Sequence, residues 1–152
     1  MPKIDISAVP VRTGSIYPQP FQHVVDGREK MALGNAAGLT QFGVNLTRLK
    51  PGAMSALRHW HEQEDEFVYI LEGEAVLVED QGETALKAGD AAGFKAGVAN
   101  GHQLVNRSTG DVLYLEIGTR ARDERAHYPD DDLALMRDSS GVRLTHKSGE
   151  PY

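Results

Sequence analysis

The sequence has no cysteine among its 152 residues. Disulfides and thiolate metal sites are therefore excluded, and any bound metal must be held by imidazole and carboxylate. No apolar run is long enough to span a bilayer. The opening residues, MPKIDISAVPVRTG, lack the charged start and apolar stretch of a secretory leader. The expected location is the cytoplasm, with no membrane partner. Basic residues are few: 16 Lys and Arg face 22 Asp and Glu, for a net charge of -6. That balance argues against nucleic acid, whose phosphates reward a basic surface. A sustained helical period is also missing, as are a helix-turn-helix segment, a solenoid repeat and a low-complexity tract.

What is present is short apolar or alternating runs punctuated by 16 glycines and 7 prolines. Strands are expected over Gly43 to Lys50, Phe67 to Leu71, Ala75 to Glu79, Gln103 to Asn106 and Val112 to Ile117, with a hairpin turn at Asp80, Gln81 and Gly82. Strands so short and so closely spaced predict an all-β sandwich or barrel. One domain is expected over 1–152, with its core at about 40–118. Four prolines in the first 39 residues exclude a long helix and leave an extended arm with one or two edge strands. Residues 119–152 read as a polar tail. Leu133 and Met136 are spaced to share a face of a short helical turn, and Asp130 to Asp132 read as a solvated loop or helix N-cap.

The chemistry concentrates in RHWHEQEDE, residues 58–66. Alternate strand residues face one side, so His59 and His61 point together and Trp60 points away. Glu66, Val68 and Ile70 form one face of the next strand; Phe67, Tyr69 and Leu71 form the other. Both faces are apolar, so the strand is expected to be buried on both sides. His102 shares a strand face with Leu104 and Asn106. Three imidazoles and one carboxylate converging inside a barrel would make a first shell for a divalent cation. An H-x-H pair alone is weak evidence, and the glycines around it supply the specificity.

The glycine, the two histidines one residue apart, the glutamate and the closing glycine resemble the first motif of the cupin superfamily, here Gly52, His59, His61, Glu66 and Gly73. One extra residue separates Gly52 from His59. The second motif is matched by Gly89, Gly97, His102 and Asn106, with Lys95 in place of a proline and two extra residues before the histidine. The resemblance selects Glu66 over Glu62, Glu64 and Asp65, which are left to the rim or to solvent. It implies a double-stranded β-helix (jelly roll), in the manner of small single-domain bacterial cupins, some of them called sugar-phosphate isomerases. It implies that His59, His61, Glu66 and His102 bind a divalent metal ion: Mn, Fe, Co, Ni or Zn. It also implies a homodimer that exchanges N-terminal strands. The expected function is a metal-dependent enzyme on a small polar metabolite, of isomerase, dioxygenase, decarboxylase or lyase type. The alternative is a small-molecule binding cupin without turnover.

Other residues carry narrower expectations. Trp60 is expected under the N-terminal arm, which would also cover Phe67 and Tyr69. Tyr114 and Glu116 share one face of the last core strand: inward, they are catalytic candidates; outward, Glu116 is a surface charge. Asn106 either supports the site or stabilises a turn. Asn45 and Arg48 lie on opposite faces of their strand. Arg58 is placed to receive an anion at the rim, and His23, His127 and His146 are assigned to the surface.

Overall fold

The computed structural model describes residues 3–152. Thirteen strands dominate it: β1 Val11–Arg12, β2 Arg28–Ala32, β3 Phe42–Leu49, β4 Trp60–His61, β5 Glu66–Glu72, β6 Glu74–Glu79, β7 Gly82–Lys87, β8 Ala91–Phe94, β9 Gln103–Val105, β10 Val112–Thr119, β11 Glu124–His127, β12 Ala134–Asp138 and β13 Gly141–Thr145. One four-residue helix, Leu33–Ala36, and one 3-10 turn, Ile6–Ala8, complete the elements. Among the described residues no helix is long and apolar enough to cross a membrane.

The chain is an all-β jelly roll. One layer is a six-stranded sheet in the order β1-β2-β3-β10-β5-β8. The facing layer consists of β7-β6-β9 and β13-β12-β11-β4. The isolated bridge His59 to His102, next to β4 and β9, joins these two smaller sheets, and Met54 bridges to Val105 of β9. Every strand pair is antiparallel, so alternation decides what faces inward. On β10 the inward set includes Val112 and Tyr114, both fully buried, opposite Leu49 and Thr47 of β3.

Leu49, Val68, Ile70, Leu77, Leu86, Leu104 and Val112 close one end of the barrel as a packed apolar cluster. Asn106 is fully buried there. Its amide donates to the carbonyls of Leu49 (2.9 Å) and Gly110 (2.8 Å), and its oxygen accepts from Ser108 N (3.0 Å) and Oγ (2.8 Å). Asn106 therefore stabilises a turn. Gly73, the single residue between β5 and β6, has φ +80, and a Cβ there would lie 2.4 Å from the Asp111 carbonyl oxygen. Only glycine fits that corner.

Several expectations need correction. Residues 119–152 are not a polar tail: they supply β11, β12 and β13. Ala126, Tyr128 and Leu133 are buried with Leu57 in a second cluster, against Tyr17, Phe21 and Val24 of the arm. The helical turn near Asp132 to Arg137 is strand β12, whose backbone groups pair with β11 and β13. The arm contributes β1 and β2 to the sheet but leaves the outer face of β5 open: Phe67 is 42% and Tyr69 39% exposed. Trp60 is not under the arm; it stacks on His127 with ring centroids 4.2 Å apart. Asp130 and Asp132 are anchors rather than a free loop. Asp130 accepts from Arg58 Nε (2.7 Å) and Nη2 (2.8 Å), and Asp132 accepts from Lys147 N (2.8 Å) and pairs with His146.

Candidate metal centre

His59 and His102 come from loops far apart in sequence, yet their backbones are hydrogen-bonded to each other. His59 N donates to His102 O at 3.1 Å and His102 N to His59 O at 2.9 Å. This antiparallel bridge sets the two rings side by side, with centroids 4.9 Å apart. The two extra residues before His102 are thus absorbed in the loop without changing its phase. His61 follows on β4, and Glu66 opens β5 on the same inner side as Val68 and Ile70.

One Glu66 oxygen, Oε2, is the focus. His102 Nε2 lies 2.7 Å from it, His61 Nε2 3.4 Å and His59 Nε2 3.7 Å. The four residues selected from the sequence are therefore together in one place. Ligand atoms of His59, His61 and Glu66 all lie within 4.8 Å of one another, close enough to share a metal ion. The outward nitrogen of His59 favours the same reading. His59 Nδ1 is 2.8 Å from the Leu57 carbonyl oxygen, a contact that places the proton on Nδ1 and leaves the Nε2 lone pair facing the centre. Phe94 stacks on the His102 ring at 3.6 Å and fixes its plane.

Burial and charge tune these groups against one another. Burial pushes His59 down to about 4, the neighbouring His102 and His61 add to the effect, and Glu66 opposes it. Burial likewise works against a proton on His61, but Glu66, Glu124 and Glu64 outweigh it and raise its pKa. Burial favours the neutral Glu66; hydrogen bonds from His102 and His61 prevail and hold the carboxyl well below the usual range. The centre thus combines one carboxylate with imidazoles, a donor set suited to a divalent transition metal.

Behind His61 stands a carboxylate that sequence reading passed over. Glu124 is almost fully buried, accepts from the backbone N–H of Glu62 and Arg125 (2.9 and 2.7 Å), and has Oε1 3.9 Å from His61 Nδ1. Glu64, expected at the rim or in solvent, is also drawn in. It lies 4.0 Å from His61 Nδ1, accepts from Ala121 N and pairs with Arg137. Neither role has a sequence signal, because each depends on the polar segment after Thr119 folding back as a strand.

The centre opens into a cavity of about 480 Å³ between the two layers. Tyr114 and Glu116 both line it, which resolves their orientation as inward. Glu116 accepts from Lys30 Nζ at 2.8 Å and Asn45 Nδ2 at 3.3 Å. Tyr114 is fully buried, its hydroxyl makes only a weak contact with the Thr47 hydroxyl, and burial holds its pKa well above the usual phenol value. A second cavity of about 190 Å³ lies across the centre, sharing His61, Glu66 and His102 as its wall. Arg58 does not offer an anion site. Asp130 and Asp80 occupy its guanidinium, and the hydrogen bond to Asp130 raises its pKa. Arg48 faces outward to Asp111 at 3.1 Å. His127 meets Glu62 at 2.7 Å on the partly exposed side of β11.

The sequence matches the family model described as Cupin domain over residues 45–118. A solved structure from Silicibacter pomeroyi, a sugar phosphate isomerase from a cupin superfamily, is 49% identical. It covers 99% of this chain and 96% of its own, with a TM-score of 0.97. A protein from Acidithiobacillus ferrooxidans, provisionally called a sugar phosphate isomerase, is 27% identical over 91% of this chain and 86% of its own, with a TM-score of 0.80. A polyketide cyclase from Streptomyces resistomycificus shares the fold at 20% identity and TM-score 0.62, over 78% of this chain and 79% of its own. No curated protein matches.

Proposed function

The chain belongs to the cupin superfamily, and on that premise we propose that it is a metal-dependent isomerase of a small sugar-like hydroxy-carbonyl compound. The observation that carries this reading is the convergence of His59, His61, Glu66 and His102 on one point at the wall of the cavity. The sugar phosphate isomerase of Silicibacter pomeroyi and its provisionally named counterpart from Acidithiobacillus ferrooxidans support the reaction class.

His59, His61, Glu66 and His102 would hold the ion, which when bound polarises a carbonyl and neighbouring hydroxyl. The rest falls to the chain. Glu116 is the carboxylate that projects into the cavity beside the centre, steadied by Lys30 and Asn45. Its role is to take the proton from the carbon next to the carbonyl and return it to the former carbonyl carbon. A second proton moves between the two substrate oxygens, so no atom or electron is gained or lost. The Tyr114 hydroxyl, held only weakly by Thr47, faces the same space and has a hydrogen bond to give. Tyr128, buried beside His59 with centroids 5.8 Å apart, excludes water from that side.

The test is to load the protein with Mn, Fe, Co, Ni or Zn, supply aldose and ketose phosphates in deuterium oxide, and follow the carbon-bound hydrogen by NMR. Isomerisation gives product, or deuterium at the exchanged carbon, and Glu116→Gln removes both. A ligand that binds with neither product nor exchange under any metal establishes the binding cupin without turnover instead.

A homodimer is proposed on separate grounds. The outer face of the six-stranded sheet presents Val11, Phe42, Phe67, Tyr69 and Leu71, all more than a third exposed. Six strands of two to eight residues, about 4.8 Å apart and about 3.4 Å per residue, offer roughly 550 Å². That is about two thirds of the ~800 Å² per partner of a stable interface, to which the relief of the projecting side chains adds. The occupant is a second copy of the chain. Light scattering should show a dimer, and Tyr69→Glu a monomer; a wild-type monomer at tens of micromolar would exclude it.

A further inference from the structure

The cavity has two chemically different ends. One is the His/Glu centre. The other is built by the arm: Arg12 on β1, Arg28 and Lys30 on β2, and the loop through Gly14 and Ser15. These cations are unevenly compensated. Lys30 has Glu116. Arg28 donates to two carbonyl oxygens, Ser55 O at 2.5 Å and Gly14 O at 2.7 Å, which orient its guanidinium without cancelling its charge. Arg12 has no ion-pair partner among the described residues, yet it stands directly opposite Lys30 in the β1–β2 register, with its side chain on the cavity side. Like charges facing each other across a strand pair are destabilising. Three cations against one carboxylate leave that end net positive, and no ion pair among the described residues answers the excess.

The geometry points to a phosphate subsite, in which Arg12, Arg28 and Lys30 receive the phosphate monoester of the substrate while its carbonyl end lies at the His/Glu centre. The inference rests on the isomerase reading for the far end but not for the anion itself. β2 and β5 are three strand spacings apart, about 14 Å from backbone to backbone. Both strands belong to one sheet with β3 and β10 between them, so the cations and the His/Glu centre line different parts of one cavity. A phosphate dianion suits paired guanidinium groups, because each can donate two parallel hydrogen bonds to it. It would also separate the opposed charges of Arg12 and Lys30 by standing between them.

Inorganic phosphate is the probe, titrated by NMR into metal-free protein at fixed ionic strength, with acetate as the comparison anion. Ribose and ribose 5-phosphate are compared on metal-loaded protein. Phosphate should bind more tightly than acetate, and ribose 5-phosphate more tightly than ribose. Arg12→Gln, on an exposed two-residue edge strand, should weaken phosphate about tenfold or more with metal content unchanged, and Arg12→Lys should recover part of the loss. Equal phosphate binding by wild type and Arg12→Gln overturns the subsite. So does acetate binding as tight as phosphate. Failure of the isomerase reading would appear separately, as intact phosphate binding without turnover.

Discussion

The closed end of the barrel and its cavity end treat polar groups in opposite ways. At the closed end Asn106 is fully buried and makes four hydrogen bonds. Across the centre and cavity wall, His61 Nδ1 and His102 Nδ1 are buried without a protein partner, and the hydroxyls of Tyr114 and Thr47 meet only each other, weakly. An unmade buried hydrogen bond costs about 1–3 kcal/mol, so these groups add less to the fold than Asn106 does. The difference separates a residue that specifies the barrel from groups that line the candidate site. Substitutions of similar chemistry should therefore differ in sign between the two ends.

The largest effect is expected at the centre. His61→Ala should abolish stoichiometric metal uptake, measured by elemental analysis, while the circular dichroism of the β-barrel is retained, because the packed core does not rely on that ring. Loss of folding instead would make His61 structural and erase the contrast. Next, Asn106→Leu should destabilise by about 3 kcal/mol or more in chemical denaturation, since two carbonyls and the Ser108 amide lose their partner. Glu124→Gln comes third: it should lower metal affinity by about tenfold to a hundredfold, as expected of a group that orients a ligand from behind. Unchanged affinity would reduce Glu124 to a backbone cap. The smallest effect has the opposite sign. Tyr114→Phe should raise stability by about 1 kcal/mol, because it removes from a buried position a hydroxyl that has only a weak contact with Thr47. A loss of stability there would mean that the hydroxyl is satisfied and that the two ends do not differ.

His59, His61, Glu66 and His102 were legible as a set through the motif resemblance, which chose Glu66 over its acidic neighbours; strand alternation, which is local, supplied only the direction of each side chain. The apolar runs of β3, β5, β6 and β10 were legible from that same local alternation. Residues 119–152 were not. Ala126, Tyr128 and Leu133 sit among charged residues, and what buries them is Tyr17, Phe21 and Val24, about 100 residues earlier. Arg58 looked free because its partners, Asp80 and Asp130, are 22 and 72 residues away. Glu124 gave no signal, since a buried carboxylate is written like an exposed one until its amide donors are known. The cations at the cavity lay in an arm whose prolines marked it only as extended.

The reciprocal backbone bonds between His59 and His102 have a consequence for how an ion is captured. Peptide geometry, rather than the ion, dictates the separation of these two rings. The entropy of bringing them together is lost while the barrel folds, so little rearrangement remains for the moment of binding. A chain built this way resembles a socket cut before the plug arrives. Occupancy should stiffen the surrounding loops only slightly, and stripping the ion should leave their hydrogen-exchange pattern close to that of the loaded protein.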